Sequence, residues 1–250
     1  MPNSRRKGHY GIDAPYVPAL MIAASLICLV LVVVAHMTPL WITVVIFWLL
    51  SGIYLHTTLR GKFEVWRRVL DGLALRGDEH ILDLGCGRGA VLAARYVPRG
   101  RAVGIDIWST RDQSGNAMAA TKENAAIEGV ADRVELHTAD MRQLPFAANS
   151  FDLIMSSVAI HNIGTEAGRD RALDEAWRVL RPGGRLLIAD ISKSRRYRKR
   201  LDALGAITIR RNLGWRMWWG GPWMPTMLVD AGKPAASGAQ LRDAPTPEYQ

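Results

Sequence analysis

ILDLGCGRGAV, residues 81–91, is the stretch that decides the fold of this 250-residue chain. The apolar residues that begin at Ile81 predict a short buried strand, and the closely spaced glycines that follow predict a tight turn. The apolar run after Ala90 favours a helix. Glycine lets a backbone approach a ligand closely, and the first N–H groups of a helix are free to bind it. The stretch therefore predicts a strand, a ligand-binding turn and a helix.

Two classes of cofactor fit the turn taken alone. Gly85, Gly87 and Ala90 satisfy the G-x-G-x-x-G/A pattern of nicotinamide-binding oxidoreductases. Asp83, which precedes the first glycine, suits a positively charged ligand better than a pyrophosphate, because opposite charges attract. Asp106 lies about 20 residues after the glycines, the spacing typical of an acid that binds a ribose diol. Both classes of cofactor contain such a diol.

The rest of the chain continues the alternation of apolar strands and helical segments. A first strand at residues 80–84 is followed by predicted strands at residues 102–106, 134–139, 150–156, 185–190, 206–211 and 226–230. Such alternation is typical of an α/β domain with a largely parallel sheet. Ligands of these sheets bind at the carboxyl ends of the strands. Asp152 opens a strand, so we place it at the far edge, outside the site.

These ordered motifs, together with the Pro182-Gly183-Gly184 turn before the fifth strand, give the region from Ile81 to Lys233 a clear resemblance. It resembles a class I S-adenosylmethionine-dependent methyltransferase, of the ubiquinone/menaquinone C-methyltransferase-like kind with a type 11/25 methyltransferase domain. The resemblance implies a Rossmann-like, seven-stranded α/β domain over residues 79–233. Its sixth strand would run parallel to the first five and its last strand antiparallel.

The resemblance also implies S-adenosyl-L-methionine as cofactor, with Asp83 near its ammonium group and Asp106 on its ribose hydroxyls. Ile107 would lie against the adenine and Asp140 would accept from the adenine amino group. The implied cofactor-binding residues are Asp83, Gly85, Cys86, Gly87, Gly89, Asp106, Ile107, Asp140, Met141, Ser156 and Ser157. Of the two serines, either would face the methionine end.

His161 is the candidate catalytic residue. It follows the fourth strand on the ligand side, where a histidine could act as general base for methyl transfer. A histidine that merely hydrogen-bonds the loop or the cofactor fits the sequence equally well. No His/Cys/Asp cluster has metal-ligand spacing, so we expect no metal.

The N-terminal part of the chain is a predicted transmembrane helical hairpin at residues 19–56. Two uncharged stretches, at about 19–36 and 40–56, each approach the length of a membrane span, and Pro39 between them disfavours one continuous helix. A signal peptide and a buried soluble hairpin are the alternatives. Residues 1–18 are a predicted cytoplasmic tail, residues 57–78 a linking amphipathic helix, and residues 234–250 a disordered tail.

The charges around the hairpin predict its orientation. Basic residues precede the first helix and follow the second, which places both termini and the catalytic domain in the cytoplasm. These residues are Arg5, Arg6, Lys7, Arg60, Lys62, Arg67 and Arg68. The net charge of +9 and the basic run at residues 193–200 fit either a solvated helix face or anionic lipid headgroups. Nucleic acid is an unlikely partner, because no binding module accompanies the charge.

A loop that holds four of the nine tryptophans, residues 215–223, follows the sixth predicted strand. Tryptophan favours membrane interfaces and apolar pockets, although packing between the last strands is the alternative. We therefore expect a membrane-anchored methyltransferase that acts on a hydrophobic or membrane-associated small molecule, lipid-like or quinone-like. The alternatives are a soluble small-molecule or nucleic-acid methyltransferase, a nicotinamide-dependent oxidoreductase, and a binding protein without turnover.

Overall fold

The computed structural model describes residues 7–235 of the chain. Arg5, Arg6 and all but the first two residues of the predicted disordered tail lie outside the described residues. The helices are α1 (Tyr16–Val34), α2 (Trp41–His56), α3 (Lys62–Asp71), α4 (Ala90–Ala94), α5 (Met118–Ile127), α6 (Glu166–Val179) and α7 (Ser194–Ala203). The strands are β1 (His80–Leu84), β2 (Arg101–Asp106), β3 (Val134–Thr138), β4 (Phe151–Ser157), β5 (Leu180–Asp190), β6 (Ile207–Asn212) and β7 (Met227–Gly232).

The seven strands form one sheet in the order β3-β2-β1-β4-β5-β7-β6. Strands β1 to β5 are parallel, and β7 runs antiparallel to both β5 and β6. Strand β6 consequently points in the same direction as the first five. The seven-stranded α/β fold expected from the sequence is confirmed, and the tryptophan loop after β6 opens at the carboxyl edge of the sheet.

Both faces of the central strands are buried, as is usual for parallel strands flanked by helices. Alternate residues of β1 show this directly, because Ile81 packs under α3 and α4 while Leu82 packs under α6 and α7. Strand β1 lies between β2 and β4, so its carboxyl end is at the centre of the sheet. The glycine turn therefore opens at the middle of the carboxyl edge.

The second apolar helix continues into the linking helix. A π-helical turn, Thr57–Gly61, joins α2 directly to α3. A Cβ on Gly61 would collide with the carbonyl oxygen of Arg216, so glycine permits the close approach of the tryptophan loop. Thr57 Oγ1 donates to the carbonyl oxygen of Trp218 at 2.6 Å. These contacts fix the base of the hairpin against the carboxyl edge of the sheet.

Helices α1 and α2 pack on each other but leave most of their apolar side chains exposed. Pro39 lies in the short turn Thr38–Leu40 between them, where the sequence predicted a break. Exposed apolar residues include Leu26, Ile27, Val30, Val33, Ile42, Trp48 and Leu49. Two helical segments, Tyr16–Val34 and Thr38–Asp71, are long and apolar enough to cross a membrane by length and composition.

Candidate active site

A cavity of about 650 Å³ opens at the carboxyl edge of the sheet. Its walls come from the glycine turn, the ends of β2 and β4, the loops that follow β2, β3 and β4, the N-terminal segment, α3 and the tryptophan loop. Of the predicted cofactor residues it contains Asp83, Gly85, Cys86, Gly87, Gly89, Asp106, Ile107, Asp140, Met141 and Ser157. The fold thus brings together residues that are far apart in sequence.

The glycine turn is held in a shape that needs its glycines. Gly85 has φ +68° and Gly87 has φ +47°, both in the left-handed region that disfavours other residues. A Cβ on Gly85 would also collide with the Cβ of Ala159 across the cavity. Gly87 N donates to Asp106 Oδ2 at 2.7 Å, which ties the turn to the end of β2.

Asp83 is a buried acid at the end of β1, with only 4% of its surface exposed. The pKa of Asp83 is raised to about 7, mainly by burial and to a lesser extent by the negative charge of the nearby Asp106 carboxylate. Among the described residues, no basic group offsets these two effects. A ligand ammonium group beside Asp83 would supply the missing positive charge.

Asp106 is already a hydrogen-bond acceptor for the main chain around it. Its Oδ1 accepts from Trp108 N at 2.6 Å and from Asn116 Nδ2 at 3.3 Å. Together with the bond from Gly87 N, these use three of the roughly four acceptor sites of a carboxylate, so about one remains for a ribose hydroxyl. Ile107, next in sequence, is 67% exposed and lines the cavity, as an adenine contact requires.

Asp140 is paired with a residue that sequence reasoning did not single out. Arg142 Nε and its main-chain N both donate to the Asp140 carboxylate. The side-chain hydrogen bond from Arg142 is the largest effect that lowers the pKa of Asp140. The group is therefore ionised and ready to accept from an adenine amino group, with Met141 beside it in the cavity wall.

The two serines at the end of β4 have different surroundings. Ser156 is fully buried, and its Oγ donates to the carbonyl oxygen of Leu84 at 3.0 Å, so it does not line the cavity. Ser157 lines the cavity and accepts from Trp66 Nε1 at 2.9 Å. Neighbouring residues of a strand point to opposite faces, which explains the difference. Ser157 is the serine available to a ligand.

His161 lines the cavity, and its side chain is 20% exposed. Its Nδ1 lies 2.7 Å from Oδ1 of Asp190, the last residue of β5. Asp152 is paired with Arg181 at 2.8 Å and lies outside the cavity, as expected from its place at the start of β4. Histidine, cysteine, aspartate and glutamate form no metal-binding group within residues 7–235.

The N-terminal segment and α3 also line the cavity, which the sequence did not predict. They contribute Tyr10, Asp13, Tyr16, Lys62, Phe63 and Trp66. Asp13 connects them, because its carboxylate lies 2.5 Å from Lys62 Nζ and accepts from Thr58 Oγ1 at 2.6 Å. Gln113 Nε2 donates to the same carboxylate, while Gln113 Oε1 accepts from Arg88 N in the glycine turn. The segment predicted as a tail is thus part of the wall.

The tryptophan loop contributes one ring to the cavity. Trp219 lines it and packs edge-on against Tyr54 of α2, with ring centroids 5.4 Å apart. Trp215 stacks on His56 with centroids 5.0 Å apart, and Trp223 is 66% exposed. The loop therefore both packs on the hairpin and presents rings at the surface.

The basic run on α7 is partly used inside the domain. Arg196 pairs with Asp170 and Arg200 with Asp174, each at 2.7 Å. The other four cations of the run are exposed, namely Lys193, Arg195, Arg198 and Lys199, and Arg198 pairs with Asp202 at 3.6 Å. The run is therefore a smaller candidate surface for anionic headgroups than its sequence suggested.

Comparison with known proteins identifies the class. Residues 82–188 match the family model described as a methyltransferase domain. A demethylmenaquinone methyltransferase of Symbiobacterium thermophilum is 32% identical over 137 residues, which is 53% of this chain and 51% of that protein. The sterol 4-C-methyltransferase strm-1 of Caenorhabditis elegans is 30% identical over 131 residues, which is 52% of this chain and 36% of that protein. The chain thus spans about half or less of the length of these curated relatives.

Solved structures share the fold. A SAM-dependent methyltransferase from Aquifex aeolicus superposes with a TM-score of 0.51 at 19% identity, over 66% of this chain and 87% of that one. The [4+2]-cyclase SpnF superposes with a TM-score of 0.55 at 21% identity, over 68% of this chain and 82% of that one. The same fold therefore also occurs in a protein named as a cyclase, so the fold alone does not establish the reaction.

The matched region resembles a class I S-adenosylmethionine-dependent methyltransferase domain, for which S-adenosyl-L-methionine is the methyl donor. Its cavity fits that donor. Asp83 is a buried acid without a basic partner among the described residues, as an ammonium group requires, and Asp106 has acceptor capacity for a ribose. The roles of the individual residues stay predictions.

Proposed function

We propose that the protein is a membrane-associated methyltransferase that acts on a hydrophobic small molecule of the lipid or quinone kind. One observation carries the proposal. The cavity that contains the cofactor residues is also lined by Tyr16, at the start of α1, and by Phe63 and Trp66, on the helix that continues α2. The acceptor would therefore meet the donor beside the apolar hairpin.

The exposure of the hairpin supports membrane association. In each candidate span only 17% of the most apolar window is buried, and the mean hydropathy of that window in α1 is 2.9. A core helix of a soluble protein would be mostly buried. Exposed apolar surface on this scale is costly in water and marks a membrane or protein interface. The flanking cations favour a cytoplasmic catalytic domain.

The acceptor class is supported by the names of two relatives. One is a demethylmenaquinone methyltransferase and one is a sterol 4-C-methyltransferase, so both are named for apolar ring compounds. The aromatic side chains in this cavity, with Trp219 on its hairpin side, suit a planar apolar ring.

The residues present would mainly bind and orient. S-adenosylmethionine supplies an already activated methyl group when bound. Asp83 would hold the ammonium end and Asp106 the ribose, so that the reacting methyl faces the aromatic wall. His161, in the turn Ile160–Asn162 that follows β4, would accept a proton from the acceptor.

Lysine substitutions on the hairpin test the membrane association. Leu26 and Leu49 are 49% and 61% exposed in the middle of α1 and α2. If these positions face water, a lysine at either of them should not destabilise the protein. If they lie at the centre of a bilayer, each lysine should make membrane insertion less favourable by about 2.5–3.5 kcal/mol. We expect Leu26→Lys and Leu49→Lys each to reduce the membrane fraction, while Ile207→Lys, at a 56% exposed position on β6, leaves it unchanged.

Comparison of a deletion strain with its parent tests the acceptor class. Untargeted profiling should find an organic-phase compound that lacks one methylene group and accumulates in the deletion strain. A wild-type gene returned to the deletion strain should restore the methylated compound found in the parent strain. A gene that carries Asp106→Ala should not restore it. Accumulation confined to water-soluble metabolites would contradict the proposed acceptor class.

A further inference from the structure

The carboxylate of Asp190 is the most enclosed acid beside the cavity. It is fully buried at the carboxyl end of β5. Three hydrogen bonds reach it, from His161 N at 3.1 Å, Ile191 N at 2.8 Å and Tyr197 Oη at 3.3 Å, and His161 Nδ1 lies 2.7 Å from its Oδ1. Burying a carboxylate is costly unless it is hydrogen-bonded, and these bonds offset part of that cost.

The chain bends sharply to bring His161 to this acid. Val158 N donates to the carbonyl oxygen of Ala189 at 2.8 Å, which continues the pairing of β4 with β5 up to the bend. Val158 has φ +53°, a left-handed conformation that is rare and strained for a β-branched residue. Backbone strain of this kind clusters at active sites, and here it sets the position of the histidine.

The ring of His161 has one shielded nitrogen. Nδ1 is inaccessible to solvent, and although it lies 2.7 Å from the Asp190 oxygen the two atoms do not have hydrogen-bond geometry. Such contacts are often poorly aligned without a ligand and tighten when one binds. The side chain is nevertheless 20% exposed and lines the cavity, which leaves Nε2 as the nitrogen available to a bound molecule.

We infer that Asp190 is a positioning residue that keeps the proton of neutral His161 on Nδ1, so that Nε2 is free to act as a base toward the methyl acceptor. A buried carboxylate that receives Nδ1–H fixes both the tautomer and the orientation of an imidazole. The catalytic part of this inference rests on the proposed function, whereas the tautomer does not.

The resulting step is balanced. The acceptor atom forms a bond to the methyl carbon while the carbon–sulfur bond of the donor breaks, and the bonding electrons remain on sulfur as a neutral thioether. The proton of the acceptor moves to Nε2 of His161. The imidazolium that forms is stabilised by the Asp190 carboxylate and later releases its proton to water.

Nitrogen-15 NMR of the full chain in detergent, with histidine rings labelled and S-adenosylhomocysteine bound, tests the tautomer. His161→Gln identifies the His161 resonances among those of the six histidines. In the wild-type protein, the neutral ring should carry its proton on Nδ1, and Tyr197→Phe should preserve this. A proton on Nε2 in the wild-type protein would overturn the inference, and this measurement does not depend on how an Asp190 variant folds.

A double-mutant cycle tests the catalytic consequence. Asp190→Asn should lower kcat by about 100-fold or more, the size expected for loss of a general base. The Kd of S-adenosylhomocysteine and the KM of the acceptor should stay within a few fold. In the His161→Gln background, Asp190→Asn should have little further effect on kcat. An equal loss in both backgrounds would show that Asp190 acts independently of His161 and would overturn the inference.

The two proposals can fail separately. If the wild-type protein methylates no acceptor, the proposed function fails. The NMR measurement of the His161 tautomer still decides whether Asp190 positions the ring. If methyl transfer occurs and the wild-type ring carries its proton on Nε2, only the positioning role of Asp190 is lost.

Discussion

Replacement of Asp83 by asparagine should remove the acid-side pH dependence of donor binding. The carboxyl group of Asp83 is buried, and its pKa is raised to about 7, first by burial and then by Asp106. Below that pH the group is mostly protonated and attracts an ammonium ion poorly. Each pH unit below 7 should therefore weaken binding of S-adenosylhomocysteine by up to about tenfold, or about 1.4 kcal/mol.

Isothermal titration calorimetry in two buffers of different ionisation enthalpy measures this directly. Near pH 6, the wild-type protein should release close to one proton per ligand bound, and its Kd should fall as pH rises toward 7. At higher pH the α-amino group of the ligand loses its own proton, so the affinity should decline again. Asp83→Asn is nearly isosteric. The Kd of this variant should lack the change between pH 6 and 7 but keep the decline in affinity at high pH. Parallel profiles for the two proteins would refute the reasoning.

The raised pKa of Asp83 also predicts that the stability of the ligand-free protein depends on pH. An unfolded Asp83 ionises near 3.8, whereas the folded group stays protonated until about pH 7, so the folded state binds more protons between these values. The free energy of unfolding should therefore fall as pH rises through this window, by about 4 kcal/mol in total. Asp83→Asn should raise Tm at pH 8 and have little effect on it near pH 4.

Three further variants test residues in the cavity wall and directly behind it. Gly85→Ala should abolish binding of S-adenosylhomocysteine, measured by calorimetry, because the position needs a positive φ and a Cβ would collide with Ala159. Asp13→Ala should lower the free energy of unfolding by about 1–3 kcal/mol and weaken ligand binding, because it leaves Lys62 without its partner carboxylate. Ser156→Ala should lower stability by about 1 kcal/mol in urea titrations with an unchanged ligand Kd, because its hydroxyl bonds only to the main chain.

Local pattern was sufficient to predict the sheet and the central part of the site. The glycine turn, Asp83 and Asp106 follow from an apolar run that ends in a turn, because strand ends and ligand sites coincide in parallel sheets. The exposed apolar hairpin with its break at Pro39 was likewise predictable, since charge-free stretches of that length are unusual in soluble proteins.

The remaining wall could not be predicted, because it depends on contacts between distant parts of the chain. Asp13 reaches Gln113 and Lys62, and nothing in the sequence around it distinguishes it from an acid in a tail. The choice between Ser156 and Ser157 depended on which face of β4 each residue occupies, and a one-residue shift reverses that assignment. Asp190 was recognisable only as the end of a strand until the fold placed it beside His161.

The most direct test of the central claim is methyl transfer by the full chain reconstituted in phospholipid vesicles. The vesicles contain an organic extract of membranes from the organism that produces the protein. The methyl donor is S-adenosylmethionine with a labelled methyl group. We predict that the label enters an organic-phase compound with the wild-type protein and not with Asp106→Ala. Label found only in water-soluble products, or equal label with both proteins, would contradict the account.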